Sequence, residues 1–150
     1  MKRVALIVIL GVGIGIARLT LAHPEQKDSA TGEHVKVLAS YDVKEQLDGK
    51  DATVTMVEVA FGPRQAGTPH RHPGPAFVYV VEGTYELGID DQPTKIYKAG
   101  ETFNEPSGCL HRVSRNPSTA GNTKLIAVVL HPRSEKNILP QTSLNKGDNP

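Results

Sequence analysis

The chain of 150 residues has no tryptophan, one cysteine (Cys109), two methionines and only 5% aromatic residues. A single thiol excludes an intramolecular disulfide framework and any CxxC-type zinc site. Charge of one sign is also missing. Seventeen Lys and Arg against sixteen Asp and Glu leave +1, so there is no basic footprint for nucleic acid. The charge-free apolar run from Val4 to Ala17 is shorter than the ~20 residues with which a helix spans a bilayer. What the chain does have is 14 glycines, 11 prolines and six histidines.

Met1-Lys2-Arg3 followed by that apolar run has the make-up of a secretory signal peptide. Thr20-Leu21-Ala22 supplies small residues for cleavage after Ala22, and Ala17 offers a second cleavage point. Residues 1–22 are therefore expected to be a leader, with an uncleaved N-terminal anchor as the alternative, and the protein periplasmic or secreted. No membrane contact is expected beyond that leader. Its removal takes away Lys2, Arg3 and Arg18 and shifts the net charge from +1 to −2. The absence of a cysteine after the apolar run excludes a lipoprotein. The remaining 128 residues suffice for one core.

Residues 23–33 are polar and aperiodic and read as a flexible lead-in. From His34 to His131 short β-rich runs alternate with Gly, Pro and Asp. Strands are expected at Val35–Ser40, Thr53–Phe61, Ala76–Val81, Thr84–Ile89, Thr94–Tyr97, Thr102–Glu105, Leu110–Arg115 and Lys124–His131. The run Ala76–Val81 is apolar throughout, as in a strand buried on both faces or one in a barrel wall. No long window after residue 22 has a 3.6-residue period, so the fold class is all-β, a sandwich or barrel. Residues 132–150 are polar and read as a tail with a short ordered part near Ile138-Leu139.

Three histidines stand out. His70 and His72 are two apart, so on an extended segment both imidazoles point to one face. His111 follows the turn Pro106-Ser107-Gly108. Three imidazoles converging from two stretches of chain would suit a divalent Fe, Mn, Zn, Ni or Cu ion. The bland alternative is a polar surface pair plus a packed histidine. His23, His34 and His131 have no such partners and read as structural or solvated.

The segment from Gly67 to Gly83, with His70, His72 and the run Pro73-Gly74-Pro75, resembles the first motif of the cupin superfamily. Gly100 to Asn116 resembles the second: glycine, five residues, Pro106, one residue, Gly108, two residues, His111. The sixteen residues between Gly83 and Gly100 are similar to the short spacer of small single-domain cupins. The resemblance implies a double-stranded β-helix (jelly roll) over about residues 34–131, with His70, His72 and His111 on one metal ion. It also implies a glutamate ligand at Ala76 or Phe77, where this chain has none. Glu105 shares parity with Phe103 and is expected to point inward and replace that acid, as a ligand or as a partner that holds a ligand water, although a strand-end position facing solvent is the alternative. Ala76 and Phe103 are expected to line the pocket. Tyr85 reads as barrel-wall packing, and Cys109 as a turn thiol or a soft extra ligand.

An open metal site in a narrow barrel suits a small substrate. The resemblance makes a dioxygenase-like, metal-dependent oxidoreductase the first expectation. A non-catalytic protein that holds a metal or small ligand is the alternative, and a metal-free barrel is the third. Because cupins often pair through edge strands, a homodimer is also expected.

Overall fold

The computed structural model describes residues 32–140. The expected leader, most of the lead-in and the end of the tail lie outside the described residues. The first two strands, β1 (Glu33–Leu47) and β2 (Lys50–Phe61), form a long hairpin. Asp48 and Gly49 make its turn with φ of 50° and 73°, the pair of left-handed residues that an Asp-Gly hairpin loop supplies at little cost. β1 is much longer than the apolar segment Val35–Ser40. Its second half, Tyr41–Leu47, is mostly charged or polar and mostly exposed, because an edge strand needs partners on one side only.

Eight further strands follow: β3 (His70–Arg71), β4 (Ala76–Glu82), β5 (Thr84–Ile89), β6 (Lys95–Lys98), β7 (Thr102–Glu105), β8 (Leu110–Arg115), β9 (Thr123–Pro132) and β10 (Leu139–Pro140). They pair antiparallel into two five-stranded sheets, ordered β1-β2-β9-β4-β7 and β10-β3-β8-β5-β6. Phe61, Val78, Val80, Phe103 and Leu125 of the first sheet meet Tyr85 and Leu87 of the second in one buried cluster. The sheets therefore face each other across a single core. Tyr85 and Phe103 stack with ring centroids 5.6 Å apart.

β4 shows how the alternation works. Ala76, Val78 and Val80 are buried, whereas Phe77, Tyr79 and Val81 are about half exposed, so this apolar run is a barrel wall and is not buried on both faces. In β2 the inward parity carries Thr53 and Thr55 as well as Val57 and Phe61. The two threonines are accommodated by hydrogen bonds, Thr53 to Asp42 and Thr55 Oγ1 to His131 Nε2 at 2.9 Å, which gives His131 a buried structural place. Gly74 lets β4 enter beside β9. A Cβ at this position would lie 1.8 Å from the Leu130 carbonyl oxygen, so the close approach of two backbones requires glycine.

Candidate metal centre

His70 begins β3, and β3 pairs with β8 so that His70 faces His111 in register. His72 follows two residues later on the same side, and all three imidazoles are buried. Their ligand nitrogens all lie within 4.8 Å of one another, close enough to hold a metal ion. His70 Nε2 is 3.3 Å from His72 Nε2 and 3.3 Å from His111 Nδ1.

Glu105 ends β7 with its side chain turned inward and only 2% of its surface exposed. The register explains its place. Ala76 pairs with Glu105 across β4 and β7, so the carboxylate enters the pocket wall beside the position where the cupin resemblance implies a glutamate. Position 77 points out of the barrel. Glu105 Oε2 lies 3.2 Å from His72 Nε2 and Oε1 lies 3.4 Å from His111 Nδ1. Oε2 nonetheless lacks an aligned hydrogen bond, an orphaned buried oxygen in the centre of the cluster.

The outer nitrogens explain what the inner ones can do. His70 Nδ1 donates to the Thr68 carbonyl at 2.8 Å, and His72 Nδ1 donates to the Asn137 carbonyl at 2.6 Å. Carbonyls only accept, so both Nδ1 atoms carry the proton and both Nε2 atoms of the neutral rings are bare lone pairs. Two lone pairs at 3.3 Å repel unless a positive charge lies between them, either a proton or a metal ion. These donors therefore fit a cation, and the outward bonds are of the kind that orient metal-ligating histidines. His111 is turned the other way: its Nε2 is 3.0 Å from Tyr85 Oη, which is 2.8 Å from Ser114 Oγ.

Burial pushes His111 down to about 4 despite the Glu105 charge, and burial lowers His70 as well. For His72 burial pulls the same way, but the adjacent Glu105 carboxylate outweighs it and the pKa rises. Burial would raise Glu105, yet the surrounding histidines hold it below the ordinary carboxylate range. Of the three imidazoles, His72 is thus the one whose charged form the neighbouring carboxylate favours.

Around the donors is a cavity of about 40 Å³, lined by apolar residues including Ala76, Val78, Phe103, Leu125 and Val129. Ala76 and Phe103, the two pocket residues expected from the sequence, are both among them. Cys109 instead lines a separate groove with Arg71 and Asp90, and burial pushes its thiol up to about 11. Four contributors carried no signal in the motifs. Tyr85 sits inside a strand that reads as wall packing, and Ser114 has no acid partner in sequence. Glu33 and Asn137 come from the polar segments at either end of the barrel and reach the pocket through tertiary contacts alone.

The profile of the family described as Cupin domain matches residues 57–129. Residues 57–129 form a cupin-type domain. Solved structures agree on the fold. An oxalate oxidase superposes with a TM-score of 0.58 at 23% identity, over 81% of this chain and 61% of the oxidase. An uncharacterised double-stranded β-helix protein from Klebsiella pneumoniae matches at 0.56 and 16%, over 75% and 89%. An RmlC-like cupin from Shewanella frigidimarina matches at 0.51 and 22%, over 69% and 79%. No curated protein matches this sequence. The chain spans about three-fifths of the oxalate oxidase chain, and at these identities the likeness is one of fold. The architecture is that double-stranded β-helix, built from antiparallel strands without a helix among the described residues.

Proposed function

We propose that this cupin binds one divalent transition-metal ion through His70, His72, His111 and Glu105, and acts outside the cytoplasm as an oxidoreductase on a small molecule. The observation that carries the metal reading is the pair of bare Nε2 lone pairs of His70 and His72, 3.3 Å apart beside the orphaned Glu105 Oε2. Three imidazoles and one carboxylate suit iron, manganese, zinc, nickel or copper. When bound, such an ion supplies a Lewis acid and, for iron, manganese or copper, a redox couple.

The chain's own residues do the holding. Thr68 and Asn137 fix the rings of His70 and His72, Tyr85 fixes His111, and the apolar wall keeps bulk water from the donors. The donor set accepts redox-active metals, and an oxalate oxidase shares the fold, which supports the oxidoreductase class without carrying over its substrate. Export rests on the basic start, the apolar run and Thr20-Leu21-Ala22.

Elemental analysis of protein purified without chelator, and again after reloading, tests the metal reading. One equivalent of metal is expected, and His72→Ala should lose it. No uptake in either preparation would refute it. Oxygen consumption by the loaded protein with small phenols, diketones and thiols tests the activity; full loading with no turnover would favour a non-catalytic binder.

A further inference from the structure

The cavity holds a second carboxylate that the proposed ligand set does not use. Glu33 opens β1, and its side chain lines the same cavity as His70, His72, Glu105 and His111. It packs tightly against the backbone of Gly67, where an added Cβ would lie 2.5 Å from Glu33 Oε2. That contact leaves room for the carboxylate only because position 67 has no side chain. Among the described residues Glu33 forms no salt bridge with a lysine or arginine.

We infer that Glu33 is a specificity determinant that turns anions away from the metal pocket, so that the site takes a small neutral molecule. The inference rests on the metal reading above. With three neutral imidazoles, the charges of Glu105 and Glu33 together cancel those of a divalent ion. An incoming anion then gains no net attraction from the centre as a whole and meets the Glu33 carboxylate, which has no salt-bridge partner among the described residues, the repulsive element on which discrimination depends. Volume limits the size of the guest separately, since about 40 Å³ takes a molecule of only a few heavy atoms. The site is thereby unlike one built to receive a dicarboxylate.

Formate and formamide have nearly the same size and shape and differ in charge. Both are titrated into Co(II)-loaded full-length protein at neutral pH, with binding followed by the visible absorption of the cobalt. Glu33→Gln should tighten formate by about tenfold while moving formamide by less than about twofold. Glu33→Asp, which keeps the charge, should stay near the wild type. Equal shifts of both ligands, or no shift of formate, would overturn the inference while leaving the metal site intact. Failure of the wild type to take up Co(II) would instead overturn the metal reading, and this inference with it.

Discussion

At the scale of single residues, the centre depends on where one carboxylate enters the wall. Ala76 and Glu105 are direct cross-strand partners, so the two positions are alternative roots for the same ligand. Glu105→Ala should lower metal affinity by about a hundredfold. Ala76→Glu in the Glu105→Ala background should recover most of it, as read by competition with a chromophoric chelator. No recovery in a folded double variant would show that the side chain of position 76 does not reach the donors. Protonation gives a second residue-scale test. The His111 pKa is about 4 in the folded chain against 6.5 for an ordinary histidine. Above 6.5 neither folded nor unfolded chain holds this proton, whereas below it only the unfolded chain does, so stability falls as pH drops from 6.5 toward 4. Urea denaturation of chelator-treated protein should show wild type losing roughly 2 kcal/mol more than His111→Gln between pH 7.5 and 5. Parallel losses would place the proton elsewhere. Parity with Phe103 was enough to point Glu105 inward from sequence. Its pairing with Ala76 was not, because register across strands 29 residues apart is a tertiary property.

At the scale of elements, the short strand β10 matters more than its length suggests. Leu139 and Pro140 pair with Arg71 and His70, and just before them the Asn137 carbonyl accepts a hydrogen bond from His72 Nδ1. The strap both completes a sheet edge and orients a donor. Deleting residues 137–150 should weaken metal binding by about tenfold with the barrel still folded, read by metal titration alongside circular dichroism. Unchanged affinity would mean that water replaces Asn137 without loss. Elements differed in how far they could be read. β4, β5, β7 and β8 follow from alternation and glycine-proline punctuation. The second half of β1 does not, since an exposed edge strand carries no apolar period, although Asp48-Gly49 marks its hairpin plainly enough.

At the scale of the whole molecule, metal binding and folding should be one equilibrium. The four proposed donors come from β3, the segment just after it, β7 and β8, which belong to both sheets. An ion held by them ties the sheets together and binds only the folded chain. Free metal at about a hundred times its dissociation constant should add about 2.7 kcal/mol, or roughly 10 °C in Tm for a domain of this size. Thermal melts with and without chelator check this, and His72→Ala should show no difference between the two. A wild-type Tm indifferent to metal would argue against the site.

Local order along the chain was enough to specify an all-β barrel, the two histidine stretches and the inward turn of Glu105, because alternation and turn chemistry act between near neighbours. The meeting of Glu33, Tyr85, Ser114 and Asn137 around the three imidazoles was decided only by folding. Those residues are brought together by sheet pairing and strand register across separations such as the 65 positions between His72 and Asn137, and no local pattern records such distances.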